Sequence, residues 1–326
     1  MPSSLPTSSL AQSDFAKHVA EGLSTPLAHL SSRFIYDEQG SKLFQQIMGL
    51  DSYYLTNCEY EILEDSASSL RQRFSGPENQ RFELVELGAG DGLKTKLLLK
   101  DFVANATDFS YRPLDISADI LSELKSALDQ QFPSLEVAPL HASYMEALDE
   151  LHSSPTVRKV VLFLGSNIGN FSLEGAKKFV GQISQRMQVG DYFLLGIDLR
   201  KNPRTILAAY DDEHGVTAKF NLNLLVRINR ELGGNFDLNA WDFHPLYNPE
   251  TGEVRSYLYP KTQQHVSIPL LNIERTFNTG EVIHTEVSRK YSRAELDQLG
   301  SSYGLERVDM LHDKRGYFAD VVYQKK

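Results

Sequence analysis

The chain has 326 residues, 41% of them hydrophobic and 23% charged, values that fit an ordinary folded protein and exclude wholesale disorder. A formal net charge of −10 and the absence of any Lys/Arg run argue against a surface that neutralises nucleic-acid phosphates. No stretch reaches the roughly 18 uncharged apolar residues of a membrane helix, and the single cysteine, Cys58, excludes an internal disulfide. Cys58 has no base near it in sequence and reads as a small buried apolar residue. A reducing, cytoplasmic setting is expected, with no membrane and no nucleic acid as partner.

Residues 1–14, MPSSLPTSSLAQSD, carry neither a basic nor an apolar signal segment, and their Ser/Pro content predicts a disordered lead-in. FAKHVAEGL and SKLFQQIMGL repeat apolar residues at helical spacing, so the stretch from Phe15 to about Phe74 is read as helical. Thr56 and Glu59 have the spacing of a capping box, which predicts a helix starting near Asn57 and a plain structural role for Glu59. Strands are then expected at 82–87, 109–114, 135–140, 159–164 and 191–199, separated in part by helices at 118–128, 144–151 and 173–187. Alternation of this kind implies an α/β fold with a doubly wound parallel sheet.

Between 201 and 284 the rhythm breaks. KFNLNLLVRINREL reads as a helix, and short strands follow with turn chemistry at 248–252 and 278–280. The block is too long for a loop and is expected to be an inserted α+β domain that packs with the N-terminal helices. A helix at 293–303 and an antiparallel hairpin, 306–311 with 317–323, close the chain. The expected division is therefore 1–14 lead-in, 15–60 and 201–284 substrate domain, 61–200 and 285–326 cofactor domain.

The chemistry starts at VELGAGDGLKTKLLL, residues 85–99, where a strand meets a helix through glycines. Such a turn offers backbone N–H groups at a helix N-terminus to a ligand. Gly88 and Gly90 match the first two glycines of a dinucleotide fingerprint, but Leu93 occupies the third position and Gly92 is extra. Asp115, 25 residues beyond Gly90 at the end of the next strand, suits both hydroxyls of a ribose. S-adenosylmethionine (SAM) fits better than a dinucleotide, since it brings a ribose and no pyrophosphate.

Longer stretches are similar to one family, the histidine Nα-methyltransferases of the ergothioneine pathway. They are FIYDEQGSKLF (34–44), YYLT (53–56), the glycine turn with Lys94-Thr95, PLDIS (113–117), LGSNIGN (164–170), AAYDDEHGVTAKFNLNLL (208–225), INRELG (228–233) and TEVS (285–288). The resemblance implies a Rossmann-like class I methyltransferase sheet with an inserted substrate domain. It implies three methyl transfers from SAM to the α-amine of L-histidine, giving hercynine, by a protein expected to be a monomer. Carried over by position, it implies that Tyr36 and Asn170 stand at the reacting amine. Tyr53, Gly165, Asn170 and Tyr210 would hold the amino-acid end, and Glu286 and Ser288 the imidazole. Gly88, Gly90, Lys94, Asp115, Ser143 and Tyr144 would contact the cofactor. Ser143-Tyr144 stands where the family carries an acidic residue and an aromatic, and Asn57 where it carries an arginine. Ser256 stands near a position where relatives carry a larger apolar residue.

Each residue also has a bland reading. The tyrosines could be core residues with satisfied hydroxyls, and Asn170 could cap the following helix or be a turn residue. Glu286 and Ser288, two apart on a strand, could be a solvated face. Asp211, Asp212 and His214 look like a metal cluster but read as solvated or capping groups, and His141 as structural. Other functions stay open: methylation of a different amine such as a tryptophan derivative, a non-catalytic cofactor-binding module, and lastly a nicotinamide dehydrogenase.

Overall fold

The computed structural model describes residues 12–152 and 157–326, so the expected lead-in lies outside the described residues as far as position 11. Two compact units divide the chain, Met1–Tyr54 with Lys201–Ser288 and Leu55–Arg200 with Arg289–Lys326. The breaks fall at 54/55 and 288/289, not at 60/61 and 284/285. Breaks at 54/55 and 288/289 leave only one end residue of the helix Tyr54–Ser75 and of the strand Ile283–Arg289 on the other side, whereas breaks at 60/61 and 284/285 would split both elements further in.

The first unit opens with α1 (Asp14–Ser24), capped by Ser13, whose hydroxyl accepts from Ala16 N–H. Phe15, Val19 and Leu23, four apart, bury one stripe of it. Helix α2 (Glu38–Met48) is capped by Asp37 and buries Leu43 and Ile47. Helix α3 (Tyr54–Ser75) follows and belongs almost wholly to the second unit. It begins three residues before the expected start, so Thr56 and Glu59 lie inside it and form no capping box. Thr56 is buried and Glu59 fully so.

The second unit continues with β1 (Phe82–Leu87), α4 (Thr95–Ala104), β2 (Phe109–Asp115), α5 (Ala118–Gln131), β3 (Glu136–Val137), β4 (Leu140–His141), α6 (Tyr144–His152), β5 (Arg158–Phe163), α7 (Leu173–Arg186) and β6 (Tyr192–Asp198). The single strand expected at 135–140 is two short pieces, each paired with β2. After the insertion come α10 (Arg293–Ser301), β12 (Leu305–His312) and β13 (Phe318–Lys325). The sheet order is β12-β13-β6-β5-β1-β2-β3. Strands β1, β2, β5 and β6 run parallel, and β13 enters antiparallel beside β6. The order reverses between β1 and β5, the switch point at which open sheets of this kind hold ligands beyond the strand ends. Along β1, Phe82 and Leu84 face one apolar layer while Val85 and Leu87 face the other, as in a sheet covered on both sides.

The inserted part of the first unit holds α8 (Pro203–Ala208), α9 (Val216–Leu232), β7 (Trp241–Asn248), β8 (Glu253–Pro260), β9 (Gln264–Ile268), β10 (Ile273–Phe277) and β11 (Ile283–Arg289). Strands β11-β8-β7 form one sheet and β10-β9 another. Its core gathers Phe15, Leu43, Phe220, Leu224, Ile228, Trp241 and Phe277, so the N-terminal helices and the insertion share one interior. No helix among the described residues is long and apolar enough to cross a membrane.

Candidate active site

The glycine turn is set by its backbone. Gly88, Gly90 and Gly92 all have positive φ, at 76°, 54° and 65°. Gly88 and Ala89 N–H groups donate to Leu114 O at 2.8 and 2.9 Å, tying the end of β1 to the end of β2. Gly90 N–H donates to Asp115 Oδ2 at 3.1 Å, and Ser117 N–H to Oδ1 at 3.0 Å. A Cβ on Gly90 would meet nothing within 4 Å, so this edge of the turn is open, whereas one on Gly92 would lie 2.7 Å from Leu124. Gly92 therefore supplies the close packing against a helix that the missing third fingerprint glycine would give. Asp115 keeps acceptor capacity beyond its two backbone donors. An open glycine edge, a half-buried carboxylate and the 69% exposed Ile116 beside it fit an adenosine-bearing cofactor.

Lys94 sits just ahead of α4, with its ammonium bonded to the fully buried Glu59 carboxylate. Gly165 N–H donates to the same carboxylate at 2.8 and 3.0 Å, and Lys94 Nζ lies 3.4 Å from where a Gly165 Cβ would stand. The sequence missed this role because Glu59, Lys94 and Gly165 are far apart in the chain. Any contact between Gly165 and a substrate must then use its carbonyl. Glu86, two residues before Gly88, is buried and accepts from Thr95 Oγ1 at 2.6 Å and from Tyr111 OH. Burial pushes its carboxyl up to about 7, against the pull of those hydroxyls and Lys94. An acid within the apolar strand FELVEL was the available signal for it.

Ser143 precedes α6 and is exposed; its N–H and hydroxyl both donate to Glu146 Oε2, at 2.9 and 2.6 Å. The acid of this turn thus lies three residues after Ser143. Tyr144 packs edge-on against Phe163 and Phe179, with its hydroxyl 3.0 Å from a Gly88 Cβ position. Burial, with the Asp115 charge, pushes this phenol up to about 12, so it stays protonated. Asn170 ends a 3-10 turn, Asn167–Asn170, entered through positive φ at Gly165 (77°) and Ser166 (58°). Ser172, not Asn170, caps α7 by accepting from Gly175 N–H at 3.1 Å, which removes the capping reading of Asn170. A non-glycine residue in the left-handed region, as at Ser166, is a feature that collects at functional sites.

The first unit carries the remaining candidates. Tyr210 OH and Ser288 Oγ share a 2.8 Å hydrogen bond, both residues being buried. Glu286, two positions before Ser288 on β11, is half-buried and shares its face of the strand. Behind it, Thr285 Oγ1 donates to Asn221 Oδ1 at 2.7 Å and to the carbonyl of the buried Ser256 at 3.2 Å, fixing β11 to α9 and β8. Tyr36, 40% exposed, lies edge-on to Phe44 and Phe220, and Tyr53 edge-on to Phe44. Asp212 accepts from Val216 and Thr217 N–H at 2.9 and 2.7 Å and so caps α9. Among the described residues no cluster of His, Cys, Asp or Glu is placed to hold a metal. Cys58 is buried, accepts from Arg315 at 3.2 Å, and is pushed up to about 12 by burial and Asp313, an inert thiol.

A family model described as a SAM-dependent, histidine-specific methyltransferase matches residues 15–325. The chain is 33% identical over 303 residues to the histidine N-alpha-methyltransferase of Mycolicibacterium smegmatis, covering 93% of this chain and 92% of that protein. It is 32% identical over 276 residues to ergothioneine biosynthesis protein 1 of Schizosaccharomyces pombe, covering 83% of this chain and 35% of that longer protein. Among solved structures, mitomycin 7-O-methyltransferase MmcR shares the fold, with a TM-score of 0.50, 13% identity, and 98% and 71% of the two chains covered. The glycine turn, the acid that ends β2 and the antiparallel final hairpin agree with these matches, and the chain belongs to the SAM-dependent, histidine-specific methyltransferase family.

Proposed function

We propose that the protein methylates the α-amine of L-histidine, three times in succession, to give hercynine, acting as a cytoplasmic monomer on a free amino acid. The observation that carries the substrate choice is the β11 pair: a half-buried Glu286 beside a buried Ser288 already held by Tyr210. A neutral imidazole has one donor and one acceptor nitrogen. Glu286 accepts from the first and the Ser288 hydroxyl donates to the second. Tyr53, Tyr210, Asn170 and the Gly165 carbonyl hold the amino-acid end, and the exposed face of Tyr36 suits an amine that becomes cationic.

The cofactor, when bound, supplies the electrophilic methyl group. The chain's part is to hold an unprotonated amine in line and to exclude competing orientations, so positioning dominates. Asp115 and the Gly88–Gly92 turn hold the nucleoside end, and Lys94 meets the anionic end.

The deciding experiment is mass spectrometry of L-histidine incubated with purified protein and SAM, with the other common amino acids in parallel. Trimethylated histidine is expected. Methylation of tryptophan in preference to histidine would overturn the imidazole reading and direct attention to Ser256. Glu286→Ala is expected to raise the histidine KM and to relax selectivity among amino acids; unchanged selectivity would remove Glu286 from the imidazole site. Asp115→Ala is expected to weaken S-adenosylhomocysteine binding by about 1–3 kcal/mol, the cost of a lost charge-assisted hydrogen bond, as read by calorimetry.

A further inference from the structure

Beside the glycine turn lies a buried cluster whose members come from distant parts of the second unit. Glu59, in the second turn of α3, is fully buried and holds two partners at once, the Lys94 ammonium and the Gly165 amide. It thereby joins the turn after β1 to the turn after β5, the two strands between which the sheet order reverses. Room for its carboxylate exists only because β6 carries a glycine. A Cβ on Gly196 would lie 1.9 Å from Glu59 Oε1 and 3.1 Å from Asp320 Oδ1. A glycine inside a buried strand marks such a close approach.

Asp320 stands opposite Gly196 in the β13–β6 register and is fully buried. Neither of its carboxyl oxygens has a hydrogen-bond partner among the described residues. Burial, then the neighbouring Glu59 charge, push its carboxyl well above the usual carboxylate range, against the pull of Lys94. An ammonium has three donors, of which the Glu59 bond uses one, and the Lys94 side chain is 20% exposed. Held at its root by a buried carboxylate, Lys94 presents its remaining donors from a fixed place instead of from a mobile four-carbon stem.

We propose that Glu59 is a positioning residue for cofactor binding: it fixes the Lys94 ammonium at the glycine turn, with Gly196 making the space for its carboxylate beside Asp320. The inference rests on the reading of Lys94 as a cofactor contact. It is tested with Glu59→Gln, Lys94→Met and the double variant, by calorimetric affinity for S-adenosylhomocysteine and by thermal unfolding without ligand. Glu59→Gln is expected to weaken binding roughly tenfold in the wild-type background and by less than about twofold beside Lys94→Met, the non-additivity of two residues acting as one unit. It should also raise the cofactor KM by a larger factor than it lowers kcat.

Lys94→Met alone is expected to lower the unliganded Tm by several degrees, because it strips the cation from a buried carboxylate, and Glu59→Gln should restore part of that loss. An equal affinity loss in both backgrounds, or tighter binding in Glu59→Gln, would overturn the positioning role. If Lys94→Met leaves affinity unchanged while the Tm falls, the assignment of Lys94 itself fails and takes the proposal with it. Should Glu59→Gln not fold, Glu59→Asp keeps the charge one methylene short of Lys94, and the same loss with the same dependence on Lys94 is expected.

Discussion

Lys290→Met is expected to lower the unfolding free energy by about 3–5 kcal/mol, the cost of removing one partner from a buried ion pair. Lys290 Nζ lies 2.9 Å from Asp198 Oδ2, and both side chains are fully buried. Asp198 closes β6, and its backbone is committed as well. Its N–H donates to Ser166 Oγ at 3.0 Å and its carbonyl accepts from Tyr291 N–H at 3.0 Å. With methionine in place of the ammonium, the Asp198 carboxylate would keep its burial and lose its cation. Urea unfolding at pH 8 reads this loss directly. Asp198→Asn combined with Lys290→Met should be more stable than Lys290→Met alone, since the buried charge is gone. A loss below about 1 kcal/mol at pH 8 would mean that water reaches the pair. Because Ser166 takes a left-handed φ beside this pair and leads into the Asn170 turn, the histidine KM should rise in the same variant.

The physical difference between what could and could not be read in the sequence is one of range. KVVLFL and DYFLLGIDL announce buried parallel strands because nearly every position is apolar, and the structure places β5 and β6 there. The turn residues at 248–252 and 278–280 act on their own neighbours: Asn248 Oδ1 accepts from Glu250 N–H at 2.8 Å, and Gly252 and Gly280 have positive φ. Asp115, at a strand end, is legible for the same reason. Glu59 is the opposite case. Its local pattern with Thr56 spells a capping box, but its partners lie 35 and 106 residues away, at Lys94 and Gly165. Tertiary burial overrides the local signal there, and only a charged residue amid apolar neighbours hints at it. The same hint stands at Glu86 in FELVEL and at Asp320 in FADVVY. In each case the acid is buried, and its place in an apolar strand is explained by a cluster that no window of sequence contains.

Glu86 gives this cluster a pH signature. Its carboxyl, ordinarily at 4.5, is pushed up to about 7 by burial, with the Thr95 and Tyr111 hydroxyls and Lys94 pulling it down and Glu59 pushing it up. The folded state thus binds the Glu86 proton more tightly than the unfolded state does. By linkage, the stability this proton contributes is fully present below about pH 4.5 and is lost as pH rises to about 7, beyond which it stays level. Glu86→Gln keeps the shape and an acceptor but cannot ionise, so it lacks this decline. Thr95 and Tyr111 are both hydroxyls and can turn to accept from the new amide. Groups that titrate alike in both proteins cancel when one stability curve is subtracted from the other. The difference should therefore move in favour of Glu86→Gln by about 2–3 kcal/mol between pH 5 and 8, since each tenfold gain in proton affinity on folding is about 1.4 kcal/mol. A flat difference would mean that Glu86 ionises in the ordinary carboxylate range and that its pocket is wet. A rise confined to pH 5–7 would show that the acid ahead of the glycine turn is carried in a dry site, at a measurable cost in stability near neutral pH.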